Sequence, residues 1–481
     1  VETSLLLTGA LGAIVVCAML AKRLALPYPI VFVLAGSALA FVPNVPPVKV
    51  DPQLIFLIVL PPLLFNGGWY TDWKLFRANA RSITLLAVGL VLATTFAVAA
   101  AAHALGFAWA AAFVLGAIVS PPDAVAASAI FERFSIPRRI VAILEGEGLV
   151  NDGSALVIYR FAVAAAVTGT FSPLHAAGAF VVVAVGGIAA GIVAGVALEF
   201  ATRLMARFEL SDSLIDNLAF LFIPYAAYLL AESVHVSGVL ATVAAGVYMG
   251  RRSAIIYGPD TRLVGRSVWM LINYLLNGFV FLLIGLQLRQ IVESPTFSPR
   301  EITIGLIVSL VAILTRIAWV FPATWLPRFL SRRTRAREPL PVNRNVAIVA
   351  WTGLRGIVSL AAALALPYSD ATGGPFGQRD LIVFVTFCVI VVTLVFQGLS
   401  LIPLLSLLKI KGDESIEERE VEVRVHALRA GLDRLTKLES REHTRRMGSD
   451  FADQGGVRTS HRSSRGTYRG PPGVDRERIR S

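Results

Sequence analysis

Apolar stretches of roughly 17–25 residues, the length a hydrocarbon core requires, follow one another almost without interruption from Leu5 to Leu408. Polar and charged residues collect in the short segments between them. About thirteen such runs can be drawn, near 4–20, 28–42, 52–68, 81–104, 108–130, 138–168, 176–202, 214–232, 234–250, 267–288, 302–326, 345–369 and 380–408. Backbone groups in lipid must be bonded within the chain, so runs of this length read as helices. The pattern predicts an all-α polytopic membrane protein with about 13 transmembrane helices. The run 138–168 is long enough to extend beyond the bilayer. Thr3 to Leu20 reads as a first span and not as a cleavable signal, with Lys22 and Arg23 behind it.

The pattern changes at Lys409. Residues 1–408 form the predicted transmembrane domain. In 409–440, charge is interleaved with Val421, Val423, Val425, Leu428, Leu432 and Leu435, the spacing of an amphipathic helix lying near a membrane or on a partner. Residues 441–481 are rich in Arg, Ser and Gly and poor in apolar side chains, a composition that predicts disorder. A basic tail of this kind can anchor on anionic lipid.

Only 16% of the residues are charged and 56% are hydrophobic, whereas soluble domains carry about 25% charged residues. The net charge of +12 does not indicate a nucleic-acid partner, because its placement follows topology. Alternate loops hold Lys22/Arg23, Lys74/Arg77/Arg81, Arg133/Arg138/Arg139, Arg203/Arg207, Arg251/Arg252/Arg262/Arg266 and Arg328 through Arg344, about twenty cations. The other set holds only Lys49, Arg289, Arg300 and Arg379. By the positive-inside rule the N-terminus is outside and the C-terminal tail cytoplasmic. Cys17 and Cys388 fall in apolar runs near opposite ends and read as packing residues, without a metal-site spacing.

Against this background the intramembrane acids stand out. The run from Ile140 to Tyr159 contains Glu145, Glu147 and Asp152, with Asn151 beside the last. A carboxylate at the bilayer centre costs at least about 2.5–3.5 kcal/mol, so each needs a partner, a watery cavity or a proton. At about 100° per residue, Glu147 and Asp152 project about 140° apart, whereas Glu145 lies nearly in line with Asp152, two turns away. Glu147 and Asp152 can thus have different tasks, and Glu145, cytoplasmic to Asp152, could draw cations into a funnel; together these acids point to a cation site inside the membrane. In the preceding run, Ser120-Pro-Pro-Asp123 sets two prolines at mid-membrane. The helix should unwind there, and broken helices at that depth line cavities or are buried in protein. Asp123 beside the break is a ligand, or a cap on the second half.

The bases at that depth are Arg160, Arg316 and Arg355. Arg355 lies between Gly353 and Gly356, which favour local distortion. A guanidinium keeps its proton, so a buried one needs a lasting partner. Glu147 is the expected partner of Arg355; failing that, Arg355 would serve Asp123 or the carbonyl end of a broken helix. Arg316 is expected on a lipid headgroup or a neighbouring carbonyl. The two interrupted runs are each next to last in a set of six. That placement suggests a six-plus-six inverted repeat with crossed broken helices, binding at the midplane.

Taken together, Leu60-Pro-Pro-Leu-Leu-Phe65, Ser120-Pro-Pro-Asp-Ala124, Glu145-Gly-Glu-Gly-Leu-Val-Asn-Asp152, Val236-Ser-Gly-Val-Leu-Ala241, Ala245-Gly-Val-Tyr-Met-Gly250, Gly353-Leu-Arg-Gly356 and Phe396-Gln-Gly398 resemble the bacterial sodium/proton antiporters of the monovalent cation:proton antiporter-1 family. These are relatives of the sodium/hydrogen exchangers. The resemblance covers nearly all of 1–408 and implies the antiporter fold. It also implies Asp152 as shared cation and proton carrier, with Asn151 beside it and Asp123 facing it, so that Na⁺ is held at Asp152 and Asp123. A Glu147–Arg355 pair and a homodimer are implied as well. Many relatives have Ser where this chain has Gly148, and Thr where it has Pro122. Ser120, Ser154 or water would then supply the missing oxygens.

The expected activity is electroneutral exchange of Na⁺, or Li⁺, for H⁺ by alternating access, with no cofactor and no enzymatic chemistry. Hard oxygen ligands suit Na⁺. Burial favours the protonated form of a carboxylate in general, so one acid can serve proton and cation in turn. K⁺/H⁺ exchange on the same fold is the alternative, and a cation channel with an acidic filter is the reading from another class.

Overall fold

The structure, a computed structural model, describes residues 2–43, 53, 55–131, 134, 136–169, 172–210, 212–293, 298–330, 342–369, 374, 376–409 and 422–439. The described secondary structure is helical almost throughout. In chain order the helices are α1 (Glu2–Arg23), α2 (Tyr28–Ala40), α3 (Ile55–Tyr70), α4 (Trp73–Ala104), α5 (Trp109–Val119), α6 (Ala124–Phe131), α7 (Arg138–Thr168) and α8 (Pro173–Arg207). They continue with α9 (Ser213–Ser233), α10 (Gly238–Ile256), α11 (Pro259–Val292), α12 (Pro299–Leu330), α13 (Asn343–Trp351), α14 (Ile357–Leu364) and α15 (Arg379–Leu408). Among the described residues, nine helical segments are long and apolar enough to cross a membrane, the α5–α6 pair counting as one. The other expected runs hold α1, the shorter apolar α2 and α3, and the interrupted α13–α14 pair.

Helix starts follow local chemistry. Asp72 and Asp212 accept the first free amides of α4 and α9, and Ser237 does so for α10; such caps satisfy donors that the helix cannot. Two packing groups form. In one, α2 lies on α11, α3 on α10, and α8 on α9 and α10; in the other, α4 lies on α5, α5 on α7, and α12 on α4, α13 and α15. Contacts between the groups are thinner, made chiefly by α7 against α3, α8 and α10, and by α11 against α14. Small residues allow the tightest crossings: Gly36 meets Gly285 between α2 and α11, and Gly246 meets the Phe65 backbone between α10 and α3. Close backbone approach of this kind is how helices associate without a hydrophobic drive in lipid.

Residues 1–413 form one compact unit, and residues 414–481 cluster separately. In the second unit, 422–439 is helical and exposed along its length; the expected disordered segment 441–481 lies outside the described residues. Cys17 and Cys388 are both free thiols, with Cys17 in the main apolar core and Cys388 packed against it.

Candidate functional site: two broken helices around paired aspartates

Pro121 and Pro122 interrupt what would otherwise be one span. Helix α5 stops at Val119, Ser120 to Asp123 are not helical, and α6 resumes at Ala124. The Asp123 carboxylate caps the second half, its Oδ1 accepting from the amides of Val125 (2.9 Å) and Ala126 (3.3 Å). Its Oδ2 has no protein partner. One oxygen of the carboxylate therefore caps the helix and the other is left unbonded, so the two readings of the sequence, ligand or cap, do not exclude one another.

A second break lies across from it, between Trp351 and Ile357. The two unwound stretches satisfy one another. The Asp123 amide donates to the Leu354 carbonyl at 2.6 Å, and the Arg355 guanidinium donates to the Ser120 carbonyl. The Arg355 amide donates to Thr393 Oγ1 at 3.0 Å, and Gln397 Nε2 donates to the Trp351 carbonyl at 2.6 Å. Backbone groups freed by the breaks are therefore rebonded within protein, as membrane depth demands.

Helix α7 runs past both breaks. Asn151 is fully buried, and its Nδ2 donates to the Pro122 carbonyl at 2.9 Å. One residue on, Asp152 faces a cavity of about 280 Å³ shared with Asp123, Asn66, Asn273, Asn277 and Ser359. Among the described residues, no group bonds to the Asp152 carboxylate. Glu145 and Tyr70 line this cavity and also a second one of about 230 Å³ that includes Asp72 and Arg138.

Glu147 corrects the expected pairing. Its carboxylate accepts both arms of Arg316, Nη1 to Oε1 at 2.5 Å and Nη2 to Oε2 at 2.9 Å, with both side chains 1% exposed. Arg316 Nε donates in addition to the Val349 carbonyl at 3.1 Å. Arg355 is not hydrogen-bonded to Glu147. It caps the carbonyl end of α5, where the helix dipole is negative, and it feels Glu147 only through space, together with Arg316. The reason is geometric: Gly353 packs on the Arg316 side chain, so α12 fills the flank of Glu147 and the second break carries Arg355 over to Ser120.

Two expected oxygen ligands are turned elsewhere. Ser120 donates its hydroxyl to the Ala117 carbonyl at 2.9 Å. Ser154 donates to Ala87 at 2.6 Å or to Asn151 at 3.0 Å, and neither serine lines the cavity. Gly148 does line it, and a Cβ there would run into the Cβ of Ala124; α7 lies against the start of α6 at that point. Asp123 is likewise seated against Gly356, where a side chain would overlap its carboxylate. The sequence reading missed Ser359 and the asparagines of the opposite wall. Asn273 and Asn277, one turn apart in an apolar run, were a signal that could have been taken.

Among the described residues no cluster of three or more His, Cys, Asp or Glu forms a resident metal site. The site offers two half-buried carboxylates, two asparagine oxygens and one hydroxyl oxygen without protein donors: Asp123 Oδ2, Asn66 and Asn273 Oδ1, and Ser359 Oγ, with Asp152 beside them. Such a set suits a hard monovalent cation or a proton.

Known proteins are similar to this chain over most of its length. An uncharacterized Na⁺/H⁺ exchanger of Mycobacterium tuberculosis is 34% identical over 429 residues, 88% of this chain and 78% of that one. A sodium, potassium, lithium and rubidium/H⁺ antiporter of Bacillus pumilus is 36% identical over 396 residues, covering 79% of this chain and 58% of its own. The low-affinity Na⁺/H⁺ antiporter NhaS1 of Synechocystis is 32% identical over 86% of this chain and 76% of its own. The solved structure of the sodium proton antiporter MjNhaP1 from Methanocaldococcus jannaschii superposes with a TM-score of 0.63 at 17% identity, over 84% of this chain and 98% of that one; at that identity it speaks for the antiporter fold alone. Residues 10–407 match the transmembrane sodium/hydrogen exchanger family, and with relatives this similar over most of its length, the chain belongs to that family of cation/proton antiporters.

Proposed function

We propose that this protein exchanges Na⁺ for H⁺ without net charge movement, by alternating access, with Asp152 carrying cation and proton in turn. The observation that carries the reading is the charge inventory of the buried site. Glu147 is neutralised by Arg316. Arg355 and Asp123, one cation and one anion, lie on the two crossing breaks. Asp152 remains, facing the cavity without a bonded partner. A carboxylate with neither oxygen bonded to protein is neutral when protonated and neutral when it holds Na⁺, and is charged only when empty. Moving it empty carries the full cost of an unpaired intramembrane charge, which couples the two fluxes at one cation per proton.

The second cavity, lined by Glu145, Asp72 and Arg138, lies toward the end of α7 that the charge distribution places in the cytoplasm. In this reading the conformation is inward-facing, the N-terminus is outside, the C-terminal segment is cytoplasmic, and Glu145 draws cations inward. The plasma membrane of a bacterium is the setting, and a homodimer with the moving group built on α4–α7 and α12–α15 is the assembly. The exposed apolar row of α8, including Val182, Val193 and Phe200, faces lipid or a second copy.

K⁺ is the second candidate cargo, favoured by the name of the Bacillus pumilus relative, whose stated range includes potassium. Proteoliposomes with an imposed pH gradient test both readings. Na⁺ or Li⁺ should collapse the gradient, with no potential generated and no response to one clamped with valinomycin. Collapse by K⁺ alone would assign the cargo to K⁺, acceleration on reversing the potential would refute electroneutrality, and cation flux without proton movement would make the protein a channel.

A further inference from the structure

We propose that Ser359 supplies the hydroxyl ligand of the transported cation and so sets the preference among Na⁺, Li⁺ and K⁺. Many hydroxyls in the unbroken helices turn back on their own backbone, as Ser309 does to Gly305, Thr315 to Val311 and Thr393 to Val389; Thr94 and Thr386 do not, but neither lines the cavity. Ser359 is the third residue of α14. The residue four positions before it is Arg355, in the unwound stretch, so the usual carbonyl is not in helical register beneath it. Ser359 is 1% exposed and its Oγ has no protein partner. Buried polar atoms in native proteins are nearly always bonded, and one left unbonded beside a cavity calls for a ligand.

Its position supplies the rest. Ser359 lines the cavity that holds Asp152 and Asp123. Gly356, three residues earlier, bears the Asp123 carboxylate against its α-carbon. The Asp123 carboxylate and Ser359 thus both meet the cavity at the start of α14. The hydroxyls of Ser120 and Ser154 are committed to backbone carbonyls, and position 148 has no room for one beside Ala124. Ser128 also lines the cavity, but lies more than a turn beyond Asp123 along α6. A hydroxyl keeps lone pairs for a cation while its proton bonds a carboxylate or water, and a hard oxygen in a small shell favours small hard cations.

The inference rests on the reading of Asp152 as carrier, and the test separates the two. Purified Ser359→Ala and Ser359→Cys would be compared with the parent chain and Asp152→Asn in proteoliposomes, with thermal melting in detergent with and without NaCl. In Ser359→Ala, KM for Na⁺ and Li⁺ should rise about tenfold, the scale of one lost polar contact. Vmax should be kept, the Na⁺/K⁺ preference should fall, and stabilisation by NaCl should shrink. Ser359→Cys fills the same space with a soft atom, so it should show the same Na⁺ defect and a relative gain for Tl⁺. Parent-like KM and cation preference in both variants, with Asp152→Asn inactive, would overturn the Ser359 assignment and leave Asp152 standing. Exchange by Asp152→Asn would overturn the carrier reading itself. If Ser359→Ala does not fold, Ser359→Cys decides alone: unchanged Na⁺ affinity refutes the ligand role.

Discussion

The interior around α5–α7, α12 and α13–α14 and the bundle of α8–α11 lie in one membrane domain and treat charge in opposite ways. In the first group two spans are interrupted, and Glu147, Arg316 and Arg355 are all at most 1% exposed. In the second, the helices run unbroken and ion pairs sit at their ends. There Glu199 joins Arg203, Arg252 and Tyr248 at the termini of α8 and α10, with the two arginine side chains 54% and 39% exposed. Buried charge brings a desolvation cost that a terminus avoids. The α8–α11 group buries acids as well, Glu199 and Asp216 at 6% exposed, but only near helix ends, whereas the first group holds its charges beside helix breaks.

The largest effect that would break this contrast is at Asp152. Asp152→Asn should leave folding intact and abolish cation-dependent proton flux in proteoliposomes; substantial flux would move the carrier elsewhere. Next comes the buried pair. Glu147→Ala and Arg316→Ala should each destabilise by about 3–5 kcal/mol, because the surviving charge is orphaned. Glu147→Gln combined with Arg316→Gln should recover much of that loss. Thermal melting in detergent, analysed as a double-mutant cycle, checks it, and purely additive losses would show that the pair does not interact. Arg355→Ala should not couple to Glu147 in this direct way, since Arg355 bonds a carbonyl.

A smaller effect is expected at Gly148. Gly148→Ala drives a methyl into Ala124, an overpacking cost of about 1–3 kcal/mol. It should depress transport more than stability, because it displaces the start of α6 and with it Asp123. Gly148→Ala paired with Ala124→Gly should restore flux; failure to do so would mean that contact is not what sets the Asp123 position. The smallest effect is at the bridge between the two groups. Arg160 donates to both oxygens of Glu232 at 2.8 and 3.0 Å with half its side chain exposed. Exposed pairs contribute about 0–1 kcal/mol, so Arg160→Ala should barely move the melting temperature. A large change in transport rate without a change in stability would identify this bridge as a gate and sharpen the division between frame and moving part.

Much was legible before the tertiary structure. Apolar run lengths marked the spans, because lipid forces every backbone group to bond within its own helix. The proline pair at 121–122 and the glycines at 353 and 356 marked both breaks, because ring closure and a missing side chain act locally. The angle between Glu147 and Asp152 separated their surroundings, an arginine partner for one and the cavity for the other, since helix periodicity alone determines it. What one helix cannot state is which neighbour meets each face. Arg316 and Arg355 were equally buried bases in sequence, and Glu147 lies 169 positions from the one it binds. Packing of α12 beside α7 decided between them. The same holds for the hydroxyls: Ser120 and Ser154 were close in sequence to the acids, yet their rotation about α5 and α7 turned them to backbone carbonyls. Ser359, two hundred residues away, reached the cavity because the two breaks cross. Local chemistry determined where this chain can bend and which residues carry charge; only the crossing of distant helices decided which of those residues meet.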